Sequence, residues 1–210
     1  MKNVLISIHP KWCELIMTGE KTIEVRKTRP AAAPPFKCYI YETKARSDMP
    51  TFVDEDGHVL YTGRGQVIGE TICDKLIYVE ARIDDNGEKH IEAQIYDDGE
   101  NYIVNADFLL EKMFLQSLLS CAFLSEKQMF DYLCKADRRT GGGWAWHISD
   151  IKIYDEPREL REFRKGGFMT EQQWLAALYP NTHCHYEAWA KRYEITRPPK
   201  SWMYVEEVKQ

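Results

Sequence analysis

The chain has 210 residues, 44% of them hydrophobic and 29% charged, enough to bury one core of ordinary globular composition. No apolar run approaches the roughly 20 residues a membrane-spanning helix needs, and MKNVLISIHPKW lacks the apolar stretch and cleavage site of a secretory leader. A cytoplasmic location is expected. The formal net charge of -5 speaks against a general nucleic-acid coat. Residues 1–50 nevertheless carry nine Lys/Arg against five Asp/Glu, whereas residues 78–111 carry two against ten. A basic face can bind anions locally despite an acidic total.

Asn3–Ile8 alternates weakly and predicts a strand. Pro10 suits a first helical position and Gly19 the left-handed position past a helix end. Trp12, Leu15 and Ile16 share a face between them, so a short helix is predicted. Lys21–Lys27 alternates, with Ile23 and Val25 on one face and Thr22, Glu24 and Arg26 on the other. The pattern predicts a half-buried strand with a charged outer face. AAAPP is a stiff connection to a strand at Lys37–Glu42. Residues 44–65 read as a loop and Gln66–Ile77 as a strand. Residues 78–102 read as a solvated acidic hairpin turning at Asp85-Asn86-Gly87.

A helix is predicted over 105–122, and the capping box Ser125–Gln128 opens a second to about Ala136. Gly141–Gly143 reads as a break and Trp144–Tyr154 as a strand ended by Asp155-Glu156-Pro157. Two short helices are expected within 158–196, one opened by the capping box Thr170–Gln173. Arg197-Pro198-Pro199-Lys200 links to a last strand at Ser201–Val208. About six short strands without a βαβ rhythm predict an α+β fold with a mostly antiparallel sheet or barrel. The expected organisation is a single domain with insertions at about 78–119 and 158–196.

The six cysteines, Cys13, Cys38, Cys73, Cys121, Cys134 and Cys184, are scattered without a CxxC pair and read as buried thiols. His183-Cys184-His185 has no second pair at zinc-finger spacing, so no metal and no cofactor are expected.

Chemistry concentrates in Gly19-Glu20-Lys21-Thr22-Ile23-Glu24-Val25-Arg26. Glu24 and Arg26, two apart on a strand, share a face, and Lys21 sits at the turn before it. Arg26 can fork onto phosphate or a base edge, and Glu24 can accept from an exocyclic amine. The bland alternative is an exposed ion pair worth little. Trp144 and Trp146 alternate with Ala145 and His147. Such rings serve as core or as stacking surfaces, and His147 reads as a hydrogen-bonded core histidine or a ligand contact. Trp12 beside Lys11 is packing or a stacking wall, and Ser7 on the first strand can donate to a ligand.

The segment GEKTIEVR resembles the signature Gly-x-Lys-x-x-Glu-x-Arg of the ASCH family. NVLISIHP, QVIGE ending at Glu70, WAWHISDIKIYDEP and RPPKSWMYVE resemble its strands, the last two those of a bacterial and phage subgroup. The resemblance covers roughly residues 1–77, 120–157 and 196–208. It implies a PUA-like fold, a small β-barrel with a helix beside a cleft. It also implies RNA binding or, in some members, amide hydrolysis on acetylated cytidine. Those hydrolases place a Thr nucleophile three residues after the Lys, and a Glu far along the chain. Lys21 matches the Lys, Glu24 stands where the Thr would be, and Glu70 is offered for the distant Glu. A carboxylate replaces a hydroxyl poorly in attack on an amide. The expected role is therefore binding of a nucleotide, RNA or single-stranded nucleic acid. Ser7, Trp12, Lys21, Glu24, Arg26, Glu70, Trp146 and His147 are the candidate ligand contacts. A hydrolase would use Lys21, Glu24 and Glu70 as its catalytic set. A third possibility is an interaction module whose insertions bind a protein.

Overall fold

The structure is a computed structural model that describes residues 3–44, 52–53, 59–97, 100–102, 108–135, 138–166 and 191–206. The chain divides into two compact units. One comprises Met1–Glu14, Phe36–Thr71 and Ile151–Gln210, the other Leu15–Pro35 and Ile72–Asp150.

In the first unit, β1 (Asn3–Ile8) lies between two partners. It pairs in parallel with β3 (Phe36–Glu42), from Val4 opposite Cys38 to Ile8 opposite Glu42. On its other side it pairs antiparallel with β10 (Trp202–Val205). All six β1 residues are buried, because a strand covered on both faces has no outward side to leave polar. Leu5, Tyr39, Val67, Leu160, Phe163 and Val205 join in the core of this unit. The predicted loop at 44–65 contains a two-stranded antiparallel pair, β4 (Phe52–Val53) and β5 (Val59–Tyr61).

In the second unit, β2 (Ile23–Arg26) pairs with β9 (Thr140–Arg158). That strand in turn pairs with β6 (Gln66–Ile83), then β7 (Lys89–Asp97) and β8 (Glu100–Tyr102). The long strands β6 and β9 each contribute residues to both units. Two helices, α2 (Phe108–Ala122) and α3 (Glu126–Leu133), cover the second unit's core. The capping box opens α3 as expected. The Gln128 N–H donates to Ser125 Oγ at 3.2 Å, and the Ser125 N–H donates to Gln128 Oε1 at 2.9 Å.

The acidic hairpin is more than a solvated flap. It turns at Asp84–Glu88, but Val79, Ala81 and Ile91 are buried in the core while Arg82 and Glu92 pair on the outside. The charges occupy alternate positions, so one face of each strand stays free to pack.

Gly141–Gly143 is likewise no break, since β9 runs through it. A Cβ at Gly141 would stand 2.2 Å from the Leu133 carbonyl oxygen, and one at Gly143 2.8 Å from that of Arg26. The glycines let the strand press against α3 and β2. Gly141→Ala is expected to cost about 1–3 kcal/mol by forcing backbone apart, measured by urea unfolding. A loss within about 0.5 kcal/mol, usual for an open surface site, would contradict this close approach.

Among the described residues the larger sheet has eight strands and β4–β5 form a separate pair, where about six strands were expected, and the path of the larger sheet ends at β10 and β8 without closing. The α+β class and the predominance of antiparallel pairing are observed. Cys13, Cys38, Cys73 and Cys134 are buried free thiols, and Cys121 is half-buried. Among the described residues no helix is long and apolar enough to cross a membrane. The His183-Cys184-His185 segment and the Thr170–Gln173 capping box lie outside the described residues.

Candidate functional site

The helix α1 (Pro10–Met17) ends at Gly19, whose φ of +76° is the left-handed conformation glycine tolerates. The chain then doubles back, and the Lys21 N–H donates to the Leu15 carbonyl at 2.8 Å. Strand pairing starts only at Ile23, so alternation does not govern where Lys21 points. Its side chain is buried at 3% exposure. The ammonium donates to the Ile23 carbonyl at 2.6 Å and to the Ala122 carbonyl at 2.7 Å, and stands 3.5 Å from Glu24 Oε2. Ala122 is the last residue of α2, where a cation complements unsatisfied carbonyls. Burial pulls the Lys21 ammonium below its ordinary value, and the Glu24 carboxylate opposes that shift.

Glu24 bridges two cations. Its Oε1 lies 3.0 Å from Arg26 Nη2, and the Glu24 and Arg26 side chains are 9% and 12% exposed. The expectation of a charged outer face on this strand is therefore corrected. The three groups lie in one buried row, which burial tolerates because each charge is paired or hydrogen-bonded. Glu24 is opposite Trp146 in the β2–β9 register, and Arg26 is opposite Trp144. Trp146 is 1% exposed, a core residue beside the carboxylate. Trp144 is half-buried, packs on Tyr78 with centroids 5.1 Å apart, and carries Arg29 over its ring at 4.6 Å.

On the Arg26 side stands Tyr132 of α3. Burial raises its phenol above the ordinary value, with the Arg26 charge opposing and the Glu24 charge adding to that shift. Lys27 Nζ lies 5.2 Å from the centroid of its ring. His147, two residues beyond Ala145, places Nδ1 at 2.6 Å from Asp74 Oδ1, with both side chains about 40% exposed.

The second unit thus holds Lys21, Glu24, Arg26, Trp146 and His147. The remaining candidates stand in the first unit. Glu70 Oε2 accepts from the Tyr154 hydroxyl at 2.9 Å, and its Oε1 is 3.6 Å from Lys37 Nζ. Burial, then the Glu70 carboxylate, pushes the Tyr154 phenol far up. Ser7 is buried and donates to the Pro199 carbonyl at 2.7 Å. Trp12 is half-buried, with Lys11 Nζ 5.1 Å from the centroid of its ring.

Sequence reasoning missed Tyr132, Lys27, Asp74, Lys37 and Tyr154. For Trp144 the sequence offers core or a stacking surface; cross-strand register, which a single chain does not display, sets it opposite Arg26.

Residues 6–106 match the family model described as ASCH domain. Among solved structures the chain is similar to an ASCH protein from Zymomonas mobilis, at 18% identity over 98% of this chain and 89% of that one, with a TM-score of 0.47. A mutant of that protein gives 17% identity over 99% and 92%, with a TM-score of 0.48. Among curated proteins nothing matches.

Proposed function

Residues 6–106 of this chain belong to the ASCH domain family, and from that premise we propose that the protein binds a nucleotide, free or within an RNA strand, through the Lys21–Glu24–Arg26 row. The observation that carries this reading is the buried carboxylate of Glu24, set between two cations at 3.5 and 3.0 Å. Taking three charges out of water costs several kcal/mol per ion before pairing offsets it. A surface pair would avoid that cost, so the arrangement favours a preorganised acceptor over ornament. A carboxylate fixed in this way accepts from the exocyclic amine of cytosine or adenine, and the neighbouring guanidinium suits a phosphate or a base edge.

Binding is favoured over turnover. The Lys21 ammonium donates hydrogen bonds to two carbonyls and pairs with a carboxylate. An amine so engaged is a poor activator of water.

The test is a calorimetric comparison of cytidine monophosphate with uridine monophosphate, which carries a carbonyl in place of the amine. The wild-type protein is expected to prefer cytidine by roughly 5- to 150-fold, the worth of about 1–3 kcal/mol per good base contact. Glu24→Gln is expected to lose that preference. Equal affinity of the wild-type protein for both nucleotides would remove Glu24 as the reader of the amine.

A further inference from the structure

The last turn of α2 contains a costly backbone choice. Phe123 has φ +55°, in the left-handed region where glycine is the usual residue and a bulky side chain is an outlier. The turn closes as a double return. The Phe123 N–H donates to the Ser120 carbonyl at 3.0 Å, and the Leu124 N–H to the Leu119 carbonyl at 3.1 Å. In this motif the residue after the left-handed position makes the apolar contact. Here Leu119 and Leu124 both pack on the core, which also takes Cys121. Phe123 itself remains 40% exposed. Packing therefore does not account for an aromatic side chain at a position where glycine would be free of strain.

Its place in the chain suggests another account. Phe123 directly follows Ala122, whose carbonyl holds the Lys21 ammonium, and Cys121, whose carbonyl accepts the Thr22 N–H at 3.2 Å. The turn is bolted to the start of β2 at the Lys21 end of the charged row. At the Arg26 end stands Tyr132, 39% exposed, with Lys27 Nζ 5.2 Å from the centroid of its ring. Only four large hydrophobic side chains are exposed among the described residues: Met113, Phe123, Tyr132 and Ile153. Of these the two aromatic residues adjoin the row along the backbone: Phe123 follows Ala122 at the Lys21 end, and Tyr132 stands by Lys27 at the Arg26 end. Strain retained in a non-glycine residue is a mark of functional sites, where the surroundings over-determine the conformation.

We propose that Phe123 and Tyr132 are the stacking residues of this site, presenting ring faces to the planar base whose amine Glu24 receives. This rests on the nucleotide-binding reading above and adds the residues that would recognise any base by its face, apart from the group that selects among bases by their edge. Stacking is sequence-tolerant, since every base has a π-face. The two contributions therefore separate by experiment.

Phe123→Gly removes the ring and relieves the backbone together. Its thermal midpoint is expected to equal or exceed that of the wild-type protein, while affinity for cytidine monophosphate and for uridine monophosphate falls alike, by roughly 5- to 150-fold. Phe123→Asn, which tolerates the same conformation without an aromatic ring, is expected to behave in the same way. Tyr132→Leu should weaken both nucleotides as well. A residue with a purely structural role would raise the midpoint on mutation to Gly and leave affinity untouched. If Phe123→Gly and Tyr132→Leu bind both nucleotides as tightly as the wild-type protein while Glu24→Gln loses its preference for cytidine, the stacking role is overturned and the acceptor role stands. If the wild-type protein binds neither nucleotide, both are overturned.

Discussion

Lys21→Met is expected to lower the unfolding free energy by about 3–5 kcal/mol, the usual loss when one partner of a buried ion pair is removed. Methionine matches the length of the lysine stem but supplies no donor. The carbonyls of Ile23 and Ala122 would each lose a bond that is now 2.6 or 2.7 Å long. An unsatisfied buried acceptor costs roughly 1–3 kcal/mol. Glu24 would keep Arg26 at 3.0 Å but lose its second cation. Equilibrium urea unfolding followed by circular dichroism measures the change. Adding Glu24→Leu to Lys21→Met should deepen the loss, because Arg26 then loses the carboxylate that stands 3.0 Å from its guanidinium. A loss below about 1 kcal/mol, the range of an exposed pair, would mean that the row is solvated and that its charges are not preorganised.

Trp146→Ala should have a comparable effect on stability, about 3–5 kcal/mol, as for other large buried side chains truncated to alanine. Trp146 is 1% exposed, is among the largest fully buried side chains of the described residues, and stands opposite Glu24 across the β2–β9 ladder. Removing it opens a cavity beside the carboxylate. Trp144→Ala on the same strand should cost distinctly less, because Trp144 is only half-buried and Tyr78 and Arg29 already flank it. The comparison is read by thermal and urea unfolding of the two variants side by side. Equal costs would mean that the two tryptophans share one environment, contrary to their burial.

What the sequence made legible was local. The capping box at Ser125–Gln128 and the Asp84–Glu88 turn are fixed by residues within five positions of one another, and both formed as read. The strand at Ile23–Arg26 and the helix end at Gly19 were readable from alternation and from the need for a positive φ. The direction of Lys21 was not, because it is set by a carbonyl 101 residues away at the end of α2. Nor was the burial of Glu24, which depends on Trp146 arriving opposite it. The triple glycine suggested a break from composition alone, whereas its purpose lies in the carbonyls of Leu133 and Arg26 that press against it. Non-local register is the common element in these differences. The residues that the sequence missed around the row, Tyr132 and Lys27, meet for the same reason: a helix at 126–133 returns to the end of a strand at 23–26.

The most direct test of Glu24 as a fixed acceptor is a crystal structure of the protein grown with cytidine monophosphate. It should place the exocyclic amine within roughly 2.7–3.2 Å of the Glu24 carboxylate, the ordinary range for such a bond, with Lys21 still on the carbonyls of Ile23 and Ala122. A nucleotide bound with its amine directed away from Glu24, or bound at another part of the molecule, would contradict it.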